Sequence, residues 1–217
     1  LDGIRIVGNT RTSTQVIERF IPFKAGDILD VDDPKVVLTQ YRLLGTGFFK
    51  DVTLSLERGT RRGHVVMVVE VIERNTLVLN DLWMGLAASA DTDGEQRFLS
   101  TFAGVDGAET NLFGSGITLG TATAFSKDQW AVSVRFLDPS FVASRWMLSS
   151  EILYNDALGF FGNSSVRWDD PQQVTEVPRQ AVVTYERVGT TLGIGTDLSV
   201  PTTLWFNYRI ESINAHV

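Results

Sequence analysis

Three segments of this chain repeat one pattern. In "QWAVSVRFL" Trp130, Val132, Val134 and Phe136 alternate with Ala131, Ser133 and Arg135. In "RWMLSSEILYN" Trp146, Leu148, Ile152 and Tyr154 oppose Arg145, Ser149, Glu151 and Asn155, and near the C-terminal end Leu204, Phe206, Tyr208 and Ile210 oppose Asn207, Arg209 and Glu211. A period of two is the period of a pleated strand, so each segment reads as a strand with one apolar and one polar face. "DLWMGLAASA" (Leu82, Met84, Leu86, Ala88) and "FLSTFAGV" (Leu99, Thr101, Ala103, Val105) carry weaker versions. A sandwich turns its apolar face inward and a transmembrane barrel turns it to lipid, so periodicity leaves both architectures open. Aromatic residues near strand ends and ionic residues on the opposite face are barrel features.

The first third is built differently. Up to residue 75 there are 11 basic and 10 acidic side chains, beyond it 8 and 16, and all five tryptophans lie in the second part. Neither part offers the basic face that nucleic acid requires. "GIRIV" reads as a strand with Ile4 and Ile6 on one face, and "GNT" as a turn. Ser13 is placed to cap a helix over "TQVIERFI", with Val16, Ile17, Phe20 and Ile21 at helical spacing and Pro22 ending it. A second helix is expected from Asp32 as cap, with Pro34 early and a buried stripe of Val37, Leu38, Tyr41 and Leu44. Gly45 and Gly47 then allow helix to become strand within three residues. The next strand is expected to set Phe49, Asp51, Thr53 and Ser55 on one face and Phe48, Val52, Leu54 and Leu56 on the other; its phase at Phe48 and Lys50 is ambiguous. "ERGTRRGH" reads as a polar hairpin loop and "VVMVVEVIE" as a central strand.

This β-α-α-β-β order, with "GIRIVGNT", "GDILD", "LLGTGFFKDVTLSLERG" and "VVEVIE" in sequence, resembles a POTRA domain, the periplasmic polypeptide-transport-associated module, over residues 1–75. Residues 76–217 resemble the first strands of an Omp85-superfamily outer-membrane barrel. Asn111, Leu112, Phe113, Gly114 and Gly116 match its "NLFGxG" turn, and Asp138, Pro139 and Phe141 its "DPxF" turn. As turn chemistry, Gly114 and Gly116 permit positive φ and Pro139 fixes a bend. With a periplasmic domain ahead of the first strand, even-numbered connections are periplasmic: "ETNLFGSG", "DPSFVAS" and "DLSVPT", all short. The odd ones are "ADTDGEQ", "SKDQ" and the long Asn155–Gln180 segment.

The expected fold is therefore an α+β POTRA domain followed by an antiparallel, partial transmembrane β-barrel. It has about seven strands where the family's barrel has about sixteen, so the chain reads as truncated, without the family's lid loop.

Side chains for covalent chemistry are scarce. There is no cysteine, and the two histidines are His64 in the hairpin loop and His216 near the end, so thiolate metal sites and histidine-based triads are not expected. "FGSGITLG" fits neither a dinucleotide nor a phosphate loop, Asp169-Asp170 reads as a solvated loop, Asn163-Ser164-Ser165 is only formally a sequon, and no G-x-S-x-G elbow occurs. No apolar run approaches the roughly 20 residues of a spanning helix, since Val65 to Val69 stops at Glu70. The resemblance implies no cofactor and no enzyme. It implies unfolded outer-membrane or secreted polypeptides, the lipid bilayer and periplasmic accessory lipoproteins as partners, in the outer membrane of a diderm bacterium with residues 1–75 periplasmic.

Two candidate sites follow from the resemblance. The edge strand through Phe49, Lys50, Asp51, Val52, Thr53, Leu54 and Ser55 would receive clients through its backbone, the side chains of Val52, Leu54 and Leu56 belonging to the core. The barrel seam would lie at Leu82, Trp83, Met84, Gly85, Leu86 and Ala87, where small residues pack weakly; an ordinary first strand closing on the last is the alternative. Four functions remain open from sequence: assembly of outer-membrane proteins, two-partner secretion, the barrel anchor of a patatin-like lipase fusion, and a soluble sandwich-like binding module.

Overall fold

The computed structural model describes residues 1–30, 32–90, 96–126, 129–161, 181–199 and 202–216, and their side chains except at 86–90, 96–101, 143, 158–161, 181–183, 199 and 216. Residues 91–95 of "ADTDGEQ", 127–128 of "SKDQ", 162–180 of the long connection with its sequon and Asp169-Asp170, 200–201 of "DLSVPT" and the His216 side chain lie outside the described residues. Two compact units form: Leu1–Val78 with Ala108–Leu119, and Leu79–Gly107 with Gly120–Val217.

The first unit contains strand β1 (Gly3–Val7), helices α1 (Thr14–Glu18) and α2 (Pro34–Gly45), and strands β2 (Phe49–Arg58) and β3 (Val65–Glu73). The sheet order is β1-β3-β2; β1 runs parallel to β3, and β2 antiparallel. The dense valines of β3 therefore occupy the middle, with Met67, Val69 and Val71 buried toward the core and Glu70 and Ile72 exposed on the other face. Val16, Ile17, Leu43, Phe48, Phe49, Val52, Met67, Val69 and Val71 form the core, with Ile4 and Ile6 packed against it.

Several local expectations are corrected. Helix α1 ends at Glu18, well before Pro22, because Phe20 and Ile21 donate to carbonyls three residues back and tighten the chain beyond it. Ser13 is its N-cap without a side-chain cap bond. The cap of α2 is Asp33, one residue later than Asp32; its carboxylate accepts from Lys35 N at 2.9 Å and Pro34 takes the first helical position. Gly45 is helical, and only Gly47, at φ 76°, is left-handed.

Of the stripe predicted for α2 only Leu44 faces the core. Val37, Leu38 and Tyr41 are exposed, Tyr41 by 65%, while Thr39 and Leu43 are fully buried and Val36 and Leu44 pack beside them. Two polar residues, Thr39 and Gln40, lie toward the interior because each finds an acceptor: Thr39 Oγ1 donates within the helix to Lys35 O at 2.7 Å, and Gln40 Nε2 donates across to Val52 O of β2 at 2.7 Å. The ambiguity at Phe48 also resolves. Pairing of β2 with β3 shifts register between Phe49 and Asp51, leaving Lys50 as an extra residue, so Phe49 and Val52 both point inward instead of onto opposite faces.

Beyond residue 75 run β4 (Leu77–Ala90), β5 (Gln96–Leu112), β6 (Ile117–Ser126), β7 (Gln129–Asp138), β8 (Trp146–Phe161), β9 (Ala181–Ser199) and β10 (Thr202–His216). They form one seven-stranded sheet in the order β10-β9-β8-β7-β6-β5-β4. Sequential neighbours pair throughout, with β4 and β10 the outermost of the described strands.

Register aligns the alternating faces across strands: Val134 opposes Ile152, Ile152 opposes Thr190, and Thr190 opposes Ile210. On the other face Arg135 opposes Glu151, and Glu151 opposes Thr191, which opposes Arg209. Arg135 also bonds Asp106, and Glu211 bonds both Arg187 and Arg209. The apolar face is bare, with Phe206 69% and Ile210 60% exposed, and among the described residues no second sheet covers it. That is the polarity of a transmembrane barrel wall, apolar side outward, rather than of a sandwich.

Large-to-small substitution discriminates the two faces of α2. Leu43→Ala is expected to destabilise the first unit by about 2–5 kcal/mol, and Tyr41→Ala by less than about 0.5 kcal/mol. Amide exchange in Val68–Val71 reads this out; equal effects would show that the predicted stripe is the buried one.

Candidate functional site

Strand β2 lies at one edge of the small sheet, with β1 at the other. Which backbone groups of β2 face outward follows from two observations. Gly59 N donates to His64 O across the hairpin, so Gly59 and, by the antiparallel pairing, Glu57, Ser55 and Thr53 direct their N–H and C=O groups to β3. Val52, one step out of phase, instead has both groups held by side chains: its N–H donates to Asp51 Oδ1 at 2.9 Å and its carbonyl accepts from Gln40 Nε2 at 2.7 Å. Leu54, Leu56 and Arg58 share the phase of Val52 and present their N–H and C=O groups away from β3.

Beside this open half lies an apolar cavity of about 290 Å³ lined by Leu29, Val36, Leu54, Ser55, Leu56 and Met67. Arg58, Arg61 and Arg62 make the hairpin end of the edge basic, while Glu57 is paired with Arg5. Asp2 ties β1 to this hairpin, accepting from Thr60 N at 2.7 Å and Thr60 Oγ1 at 2.9 Å and contacting His64 Nδ1 at 2.5 Å. These bonds, the Thr60 amide foremost, hold the Asp2 carboxyl down at about 2.

At the other end of β3, Glu73 organises the loop after β1. Its carboxylate accepts from Thr10 N at 3.1 Å, Thr10 Oγ1 at 2.7 Å, Arg11 N at 3.0 Å and Thr12 N at 2.6 Å. Partial burial raises its pKa, but these donors together outweigh that effect and bring it to about 2. The ordered loop meets the "NLFGSG" turn: Asn111 Nδ2 donates to Thr12 Oγ1 at 2.9 Å and Ser13 N to Gly114 O at 2.9 Å.

A Cβ on Gly114, which sits at φ 74°, would overlap the Arg11 carbonyl oxygen, so this turn requires glycine for contact as well as conformation. Phe113 is also left-handed, at φ 51°, and 96% exposed. The docking of this turn on the "GNTRTS" loop depends on residues 99 positions apart and has no local signature in the sequence.

Of the seam candidates, all six lie in β4, an edge of the large sheet. Leu82 and Met84 are exposed. Gly85 is covered by the Phe102 ring and Gly104 by Trp83, so a Cβ at either glycine would overlap the ring. Aromatic cover of cross-strand glycines adds packing that small residues alone lack. The side chains of Leu86 and Ala87 lie outside the described residues. The six seam residues and the seven of β2 fall in two different sheets.

Residues 1–74 match the family model POTRA, described as surface antigen variable number repeat. Among solved structures, BamA from Haemophilus ducreyi lacking POTRA domains 1–3 is similar, with TM-score 0.70 and 21% identity over 99% of this chain and 36% of that one. CdiB from Acinetobacter baumannii is similar with TM-score 0.55 and 12% identity, over 99% and 38%. CdiB from Escherichia coli gives 0.54 and 14%, over 99% and 38%. The chain thus spans little more than a third of the length of these structures. No curated protein matches it.

The depressed pKa of Glu73 makes the loop anchor acid-resistant. Because the folded value lies below the unfolded one, the stabilisation is complete above about pH 4.5 and is lost as pH falls through about 2. The amide shifts of Arg11 and Thr12 are expected to titrate with Glu73 near pH 2 by NMR. A midpoint near 4.5 would refute the anchor, and Glu73→Gln should remove the transition.

Proposed function

From the premise that the chain carries an Omp85-like fold, a POTRA domain followed by part of a β-barrel, we propose that it is the working junction of an outer-membrane protein assembly or polypeptide translocation factor. Its domains run 1–75, in the periplasm, and 76–217, in the outer membrane of a diderm bacterium. Unfolded β-rich clients add to the edge of β2, between Phe49 and Ser55, by main-chain hydrogen bonding and pass to the bilayer at the seam formed by β4. No covalent step is involved, and no cofactor.

The observation that carries this reading is the open edge of β2, with outward N–H and C=O groups at Leu54 and Leu56, in a chain whose second sheet has a bare apolar face. An unpaired edge is a template for a further strand. The lipid bilayer covers the face of Val134, Ile152, Leu192 and Phe206. The outward face of α2, Val37, Leu38 and Tyr41, supports a periplasmic accessory partner such as a lipoprotein.

A second reading, a two-partner secretion transporter, is supported by the similarity to CdiB, at a lower TM-score than that to BamA. One cognate substrate rather than many clients separates it from the first. The anchor of a patatin-like lipase fusion has no specific observation in its favour.

Proline in the seam tests the proposal. Gly85→Pro or Ala87→Pro removes a strand N–H at the edge and is expected to abolish insertion of a client barrel into vesicles in a reconstituted assay of the full-length protein. Amide exchange in β3 should be unchanged, since β4 lies in the other sheet. Insertion at the wild-type rate would remove the seam from the mechanism.

A further inference from the structure

We infer that Gln40 and Asp51 are specificity-determining residues that set the register of the strand received by β2, confining pairing to Leu54–Arg58 and selecting segments with apolar residues on alternate positions. The inference rests on the reading of β2 as the client-binding edge and adds where on that edge the client sits.

A strand adds to an edge only where outward N–H and C=O groups are unpaired. At Val52 both are already bonded, by Asp51 from within the strand and by Gln40 from α2. To pair at Val52 a client would have to displace two formed hydrogen bonds to make two new ones, with no net gain. At Leu54 and Leu56 no such exchange is needed. The Val52 caps therefore act as a stop, and the client's first paired residue is the one opposite Leu54.

The same geometry selects side chains. The side chains of Val52, Leu54 and Leu56 share one face of β2, on which Val52 is buried and Leu54 half-buried while Leu56, expected in the core, is exposed, and the cavity lined by Leu29, Val36, Leu54, Leu56 and Met67 opens on that face. Residues of an added strand directly opposite Leu54 and Leu56 place their side chains on the same face. A segment with apolar residues at these two positions buries them in the cavity, and the intervening residue faces the other way and is free to be polar. That is the alternation of a transmembrane β-strand, as in the second sheet of this chain itself. The basic hairpin end at Arg58, Arg61 and Arg62 favours an acidic residue at the adjoining end of the segment.

The test uses the full chain in detergent and a short synthetic peptide with valine and leucine alternating with serine and threonine, a glutamate at one end and a photo-reactive benzoylphenylalanine at an apolar position. In the wild type, cross-links read by mass spectrometry are expected at Leu54 and Leu56 and not at Val52. Gln40→Ala with Asp51→Ala should extend cross-linking to Val52 and tighten binding about tenfold, as two further backbone groups become available. Gln40→Glu, close in shape but without the donor, should shift the cross-links in the same direction, and β3 amide exchange checks that each variant is folded. Cross-links at Leu54 and Leu56 that ignore both variants, with unchanged affinity, would overturn the register stop while leaving the edge as the binding site. Cross-links only outside β2, or none, would overturn both.

Discussion

A backbone N–H or C=O that leaves a sheet must find another partner or face water, and most of what is distinctive in this chain follows from where that requirement is left open. Among the described residues the small sheet ends in β1 and β2, and neither pairs with a further strand on its outer side. A domain built only for stability blunts such edges. Here one position of β2 is blunted, at Val52, and the next three outward residues are not. The blunting is done by the side chains of two neighbours, so the edge is divided into a closed and an open half within a single strand.

The same requirement explains why buried polar residues stand where apolar ones were expected. Helix α2 turns Thr39 and Gln40 inward because each has an acceptor within reach, Lys35 O for one and Val52 O for the other. Once Gln40 is committed to the edge strand, the rotation of the helix is set and Val37, Leu38 and Tyr41 must face out. Glu73 plays a comparable part at the far end of β3. A carboxylate with four donors around it converts the loop "NTRT" into a rigid surface, and that surface is what the "NLFGSG" turn packs against.

In the large sheet, polarity is divided by register. Strands β7 to β10 align so that Arg135, Glu151 and Arg209 fall on one face with their partners, while Val134, Ile152 and Ile210 fall on the other. Ion pairs on one side and bare aliphatic and aromatic groups on the other match water on the first and hydrocarbon on the second, as in a barrel wall. Trp83, Phe102 and Trp205 lie over glycines of adjacent strands and fill the space that missing side chains leave.

What the sequence determined by itself was the existence and type of the elements. Alternation of two for β7, β8 and β10, the β-α-α-β-β order, and the glycine and proline turns are local signals, since each depends on residues a few positions apart. The two-domain organisation and the edge strand and seam as candidate sites came from the resemblance those elements carry. Tertiary structure decided the phase of α2, the bulge at Lys50, the capping of Val52 and the docking of Gly114 on Arg11. Each of these turns on a partner from elsewhere in the chain: Gln40 for Val52, Ile72 and Glu73 for the bulge, Arg11 for Gly114. A hydrogen bond or a close approach between distant segments leaves no periodicity to read, so these features become visible only when the chain has brought the segments together.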